Sequence, residues 1–155
     1  PRRQKQARTR LETLRAARAE RLSEDRQAAV DYIGSVKEQV DRKIEAERGV
    51  DGLIILEARY GSSKQIDLAH GDRTIDVAVP LQLLVSGSQL SIPGGRSKAG
   101  LLGFYDPCPG ERKSLRVKYV FRGRGHGVTV EDRAGVSMPL RGAFWFGFSF
   151  GPDGG

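Results

Sequence analysis

The sequence predicts an α+β protein: a small antiparallel β-sheet or β-sandwich domain with a long basic helical arm at its N-terminus. Three observations lead there. Residues 1–48 hold one Gly and one Pro, whereas residues 49–155 hold nineteen Gly and six Pro. Glycine and proline weaken helix interiors and punctuate turns, so the first segment reads helical and the second as short strands joined by turns. The apolar residues of the first segment keep to one helix face, and the strand-like runs of the second follow one another without helices between them, which favours antiparallel pairing. A length of 155 residues accommodates one domain plus an attachment. We divide it at 1–48 (arm), 49–139 (β domain) and 140–155 (a Phe-rich strand and Gly-rich tail).

In the arm, Leu22, Ala29, Ile33, Val36, Val40 and Ile44 advance by steps of 7, 4, 3, 4 and 4, so they share a face that must be buried against something. Upstream, Leu11 and Leu14 continue this stripe, interrupted by Arg18 and Arg26. Ser23, Glu24 and Asp25 resemble a helix start, so the arm is one helix or two pieces broken near Ser23. A coiled-coil-like pairing of arms, giving a homo-oligomer, is one way to cover the stripe. Arg48 followed by Gly49 is a favourable stop: a cation suits the last turn and glycine takes a left-handed cap. Strands are expected at Leu53–Tyr60, Thr74–Val79, Ser88–Ile92, Leu115–Arg122 and Val128–Glu131, with a last one at Ala143–Phe150. The alternation of Leu115, Val117, Tyr119 and Phe121 with Arg116, Lys118 and Arg122 separates a buried from a basic face. Leu81–Val85 is open between strand and helix, and Ser97–Leu102 has the makings of one helical turn before the loop Gly103–Gly110.

The net charge of +7 is unevenly distributed. Arg2, Arg3, Lys5, Arg8, Arg10, Arg15, Arg18 and Arg21 face only Glu12 and Glu20 within residues 1–21, a net of +6. Any electrostatic partner is therefore met by the arm. The one cysteine, Cys108, cannot close an intrachain disulfide, and with His70 and His126 it cannot supply the four ligands of a structural zinc site. Without Asn there is no N-glycosylation acceptor. No run approaches the ~18 apolar residues of a membrane-spanning helix. A start at Pro1 reads as a piece of something longer.

The run from Gly123 to Gly127 superficially offers a phosphate loop, but Val128-Thr129-Val130 leads out of it, and β structure there makes it a hairpin connection. His70 and His126 read as exposed turn residues. Glu131 and Asp132 lack the facing geometry of an acid–base pair. Catalytic, metal and cofactor-binding residues are all expected to be none. The candidates for partner binding are the helix stripe Ile33, Val36, Val40 and Ile44, the loop Phe104, Tyr105, Asp106 and Pro107, the row Phe144, Phe146, Phe148 and Phe150, and the eight arm cations. The two loop aromatics either plug an open end of the sheet or meet a partner. The Phe row either pairs as the sheet's last strand or docks on another chain or a membrane. The arm is a solvated or protein-facing helix, a contact for an anionic membrane surface, or a nucleic-acid contact. The absence of stacking aromatics in residues 1–31 weighs against single-strand binding.

The stretches Gly52-Leu53-Ile54-Ile55-Leu56-Glu57-Ala58-Arg59-Tyr60-Gly61, Ile75 through Val85, and Ser97-Lys98-Ala99-Gly100-Leu101-Leu102-Gly103-Phe104-Tyr105-Asp106-Pro107-Cys108, continuing through Gly123, carry a resemblance. From about Gly49 to Pro139 the chain resembles the C-terminal domain of the family DnaJ subfamily C member eleven, mitochondrial J-domain proteins. The resemblance implies a module associated with the mitochondrial outer membrane and with proteins of the membrane assembly that organises cristae contacts. The family's J-domain is separate, and no His-Pro-Asp tripeptide occurs here, so this segment is not expected to stimulate a heat-shock ATPase itself. The resemblance implies no catalytic residues. Together these readings predict a non-catalytic interaction or scaffolding module, with a nucleic-acid-binding module as the alternative.

Overall fold

The computed structural model describes residues 1–68 and 70–140. A single helix, α1 (Arg2–Gly49), leads into β1 (Leu53–Ser62), β2 (Thr74–Asp76), α2 (Ala78–Leu84) and β3 (Leu90–Ile92). After a 3-10 turn at Lys98–Gly100 come β4 (Lys113–Phe121), β5 (Arg124–Glu131) and β6 (Val136–Met138). Four strands form an antiparallel sheet in the order β2-β1-β4-β5, and β3 pairs with β6 as a separate ribbon. The chain is thus α+β, as expected. The strand expected at Ala143–Phe150 lies outside the described residues.

Helix α1 runs through Ser23 without a break. Ala, Arg, Glu and Leu dominate around that serine, and their propensities carry the helix across it. At 1.5 Å per residue, α1 is about 70 Å long. Its end differs from the expectation. Gly49 is still helical, and the left-handed residue is Asp51 (φ 54°), a residue type that tolerates this region. The N–H groups of Val50 and Gly52 both return to the Glu47 carbonyl.

Strand β1 explains how a mixed sequence presents a clean apolar face. Strict alternation from Leu53 and Ile55 would turn Glu57 and Arg59 into the core. A register shift between Ile55 and Glu57 inserts one residue, Leu56, and the bulge re-aims the strand so that Ala58 and Tyr60 face inward instead. Opposite them, Leu115, Val117 and Tyr119 of β4 are fully buried. Arg116 and Lys118 occupy the other face, paired with Asp67 at 3.5 Å and Glu57 at 3.7 Å.

Two sequence expectations are corrected by these turns. The hairpin between β4 and β5 is made by Arg122 and Gly123 alone, both at positive φ (52° and 74°), inside the closing pair Phe121↔Arg124. This is the geometry that matches the twist of two paired strands, so Arg124–Gly127, expected as a flexible connection, belong to β5. The strand expected at Thr74–Val79 stops at Asp76, whose carboxylate accepts from Ala78 N at 2.9 Å and turns the chain into α2. Pro80 falls in the first turn of that helix, where its missing N–H has no intrahelical partner to lose.

Helix α2 and the β3–β6 ribbon cover the inner face of the sheet, and Leu81, Val85, Leu90, Ile92, Val136 and Met138 join its strands in one core. The C-terminal half of α1 lies on this body. Val40 is 2% exposed. The Lys43 ammonium donates to the Leu83 and Val85 carbonyls at 2.7 and 2.8 Å, capping α2. Glu47 accepts from Leu53 N at 3.1 Å and Ser88 Oγ at 2.7 Å. The C-terminal end of the arm is therefore clamped to α2 by Lys43 and to the start of β1 by Glu47.

Candidate interaction surface

The two halves of α1 differ in what surrounds them. From Arg2 to Ala28 every side chain is exposed except Ala17 and Leu22, which are half-buried. Leu11 and Leu14, at 53% and 54% exposure, continue the stripe into solvent. None of the eight arm cations lies within 4 Å of a carboxylate among the described residues, whereas the domain balances its charge in pairs such as Arg73–Glu111 and Arg112–Glu131. The net +6 of residues 1–21 is thus presented uncompensated on a rod, where it acts at a distance set by ionic strength.

Beyond this rod, the stripe turns onto the chain itself. Ala29 and Val40 are buried and Ile33, Val36 and Ile44 half-buried, with α1 lying along α2 and β1. Of the residues expected to meet a partner, Val40 is closed off against the domain, while Ile33, Val36 and Ile44 keep part of their surface on the face that α1 lays along α2.

At the root of the arm stands the aromatic loop. Gly103 (φ 83°) starts it, and a Cβ there would come within 2.5 Å of Pro80 and 3.1 Å of the Tyr32 ring, so α1, α2 and the loop meet only because this residue is glycine. Phe104 turns inward, 6% exposed, edge-on to Tyr60 at 5.4 Å; it is a core residue. Tyr105, Asp106 and Pro107 stay half-buried at the rim. Asp106 accepts from Cys108 N at 2.9 Å and pairs with Lys113 at 3.3 Å, which fixes the loop. Burial raises the Tyr105 phenol, against a lowering from Arg26 nearby. Two grooves flank the rim. One, of about 380 Å³, is lined by Arg18, Arg21, Asp106 and Pro109; the other, of about 320 Å³, lies between Val30, Ile75 and Tyr105. The fold therefore brings the arm cations Arg18 and Arg21 beside the loop residue Asp106. The row Phe144, Phe146, Phe148 and Phe150 lies outside the described residues.

Sequence reasoning missed a polar cluster under the same loop. Lys98 is 2% exposed, and its ammonium donates to the carbonyls of Glu131, Asp132 and Ala134 at 3.0, 2.7 and 2.6 Å. Three protons meet three acceptors, so the group is saturated. Burial pulls its pKa down, opposed by Asp132. Asp132 accepts from Tyr60 OH at 2.6 Å, Ser97 Oγ at 2.8 Å and Lys98 N at 2.8 Å. Its carboxylate points into the domain, away from any pairing with Glu131. Burial alone would raise the Asp132 carboxyl, but the bonds from Tyr60, Ser97 and Lys98, with the charge of Lys113, hold it below the usual range. A carboxyl depressed on folding stabilises above its unfolded pKa of about 3.9 and loses that contribution as pH falls through its folded value. The urea midpoint of the wild type is therefore expected to fall between about pH 5 and about pH 3 more steeply than that of Asp132→Asn, whose amide does not titrate. Parallel slopes would contradict this role.

The remaining candidates are placed as follows. His70 is exposed in a turn. His126, expected to be exposed in a turn, is instead half-buried in β5 with its ring stacked 5.0 Å from Tyr119, and its pKa is lowered by burial and by Arg124. Cys108 is buried, and burial, then Asp106, pushes its thiol up to about 11; a thiol this weakly ionised is a poor nucleophile. Among the described residues, no three His, Cys, Asp or Glu side chains gather as a metal site, and no helix is long and apolar enough to cross a membrane.

A four-stranded antiparallel sheet, a helix laid on its covering layer and a cationic rod projecting past an aromatic rim define a small α+β domain. The sequence matches the family "DnaJ-like protein C11, C-terminal" over residues 13–139, and the chain belongs to that family. The match begins within α1, so it takes in most of the helix as well as the sheet. Relatives include "DnaJ homolog subfamily C member 11" of Mus musculus, 44% identical over 131 residues, and the Dictyostelium discoideum homologue, 42% identical over 124. The Schizosaccharomyces pombe protein "Uncharacterized J domain-containing protein C63.03" is 30% identical over 136 residues. These alignments cover 83%, 75% and 83% of this chain and 23%, 21% and 21% of the relatives. The chain thus spans less than a quarter of their length. No solved structure matches it.

Proposed function

We propose that this domain is the non-catalytic docking module of a mitochondrial J-domain co-chaperone, associated with the outer membrane and holding the protein to partners of a membrane assembly. The observation that carries the reading is the division of α1: Val40, Lys43 and Glu47 fix its C-terminal half to the domain, while residues 1–21 carry a net +6 with no ion pair to a carboxylate among the described residues. A fixed root and a free charged end suit a helix that reaches for an acidic surface on another macromolecule. Family membership supports the J-protein context, and the mitochondrial address is part of the proposal. The buried thiol and the saturated Lys98 support a role without turnover.

Proximity crosslinking of the full-length J-protein in mitochondria, with and without residues 1–21, tests the reading. This deletion removes the rod and leaves the clamped half of α1 in place. Loss of a defined set of protein neighbours is expected; an unchanged neighbour list overturns the arm's role. The charge density of the arm also favours a second reading, nucleic-acid binding. Steeply salt-dependent binding of random duplex or RNA that vanishes with residues 1–21 would put it in place of the first.

A further inference from the structure

Charge along α1 is sorted as well as unbalanced. Arg3, Arg10, Ala17, Glu24, Asp31 and Glu38 recur every seven residues, so they form one line down the helix, with cations at its N-terminal end, an alanine between and carboxylates beyond. All five charged members are exposed. Residues three and four apart are neighbours on a helix, and in those places Arg3, Arg10 and Asp31 have only Gln, Ala, Thr, Leu, Ser or Gly. Glu24 has Arg21 three residues before it. Even so, none of Arg3, Arg10, Glu24 and Asp31 lies within 4 Å of an opposite charge among the described residues.

The line also lies on the outer side of α1. At about 100° per residue, Asp31 and Glu38 stand about 200° round the helix from Ala29 and Val40, which are buried. A second helix laid there runs on the side away from the sheet domain. Between the members of the line come Ala7, Leu14, Arg21 and Ala28, and the alanines let another backbone approach closely. Two copies of the chain are complementary along this line only when antiparallel, since a parallel pair sets Arg3 against Arg3 and Asp31 against Asp31.

We infer that the chain forms an antiparallel dimer through the outer side of α1, with a two-fold axis at Ala17, so that Arg3 of each copy meets Asp31 of the other and Arg10 meets Glu24. The same register sets Ala7 opposite Ala28 and lays the stem of Arg21 on Leu14. This rests on the reading of the arm as a docking helix, and it names the acidic surface as that of a second copy. A pairing of apolar stripes would instead use the side that α1 turns to the domain. The two helices run together over residues 3–31, about 42 Å, and hold the two arm roots, at Val40, about 70 Å apart. Four exposed charge pairs each contribute little, so the dimer is weak and salt-sensitive.

Molar mass of the 155-residue chain, from light scattering and sedimentation over a range of concentrations, tests this. At about 50 mM salt the mass is expected to rise with concentration toward two copies, and at about 500 mM, where the screening length is about 4 Å, to stay at one. Arg3→Glu/Arg10→Glu and Glu24→Arg/Asp31→Arg each set four like charges against one another, so either variant alone is expected to stay at one copy. Their equimolar mixture restores all four opposite pairs and is expected to regain the two-copy mass. A wild type that stays at one copy in low salt overturns the inference, as does a variant that still dimerises alone or a mixture that stays at one copy. One-copy mass together with loss of neighbours on deleting residues 1–21 overturns the dimer and keeps the docking reading. Two-copy mass with an unchanged neighbour list supports the dimer and overturns the arm's role in holding other proteins.

Discussion

Replacing Lys98 with Met is expected to lower stability by about 3–5 kcal/mol, read from urea unfolding at neutral pH. Methionine keeps most of the apolar stem and nearly the same volume, so no large cavity opens. What disappears is the ammonium between the carbonyls of Glu131, Asp132 and Ala134. Each orphaned acceptor in a site 2% exposed costs about 1–3 kcal/mol of unrecovered desolvation, and local rearrangement relieves part of the sum. The ammonium removed is also the one whose charge Asp132 supports against burial, while the carboxylate keeps its hydroxyl and amide donors and the charge of Lys113. The damage centres on the turn from β5 to β6, the turn that delivers the chain to Leu140. A loss under about 1 kcal/mol would mean that water reaches the three carbonyls and that the lysine is not their necessary partner.

How much of this was legible in the sequence depended on whether a residue's role is local. The helix was readable because the steps from Leu22 to Ile44 repeat at helical spacing, and β4 because Leu115 to Phe121 alternate. The bulge at Leu56 was not, since nothing in Leu-Glu-Ala-Arg announces an inserted residue. Only the need to keep Glu57 and Arg59 out of the core reveals it. The Gly123–Gly127 run misled because glycine signals a turn wherever it occurs, while the turn was fully made by Arg122 and Gly123. His126 lies in a strand because the Tyr119 ring across from it offers a stacking face, a contact that exists only once the register is set. At the candidate surface, the arm cations and the aromatic loop were visible as types, but that Asp106 would stand beside Arg18 and Arg21 was not. Lys98 and Asp132 escaped for the same reason: a lysine thirty-four residues from an aspartate carries no pattern, and its burial is decided entirely by tertiary structure.

Gln82→Leu is expected to cost about 2–5 kcal/mol, and the reason lies in the same interplay of strand and helix. Strand β1 has β4 on one side along its whole length, but β2 covers its other side only from Arg59 to Gly61. At the uncovered end, Gln82 of α2 stands in for the missing strand. Its Oε1 accepts from Ile55 N at 2.7 Å and its Nε2 donates to Leu53 O at 3.1 Å, in a site 1% exposed. A leucine fills the space and satisfies neither group. Gln82→Glu separates the two bonds. Its carboxylate still accepts from Ile55 N but has no proton for Leu53 O, and burial favours the protonated acid, which can donate. Its deficit relative to wild type is therefore expected to be smaller at pH 5 than at pH 7, a window above the range in which Asp132 titrates, whereas the deficit of Gln82→Leu is expected to be the same at both. Because α2 is also the seat of Lys43, the Leu variant is expected to loosen the root of the arm before the sheet unfolds. That appears as faster amide exchange in residues 36–47 with β4 still protected. Simultaneous loss of protection in both would show that Gln82 supports the whole core and not this one junction.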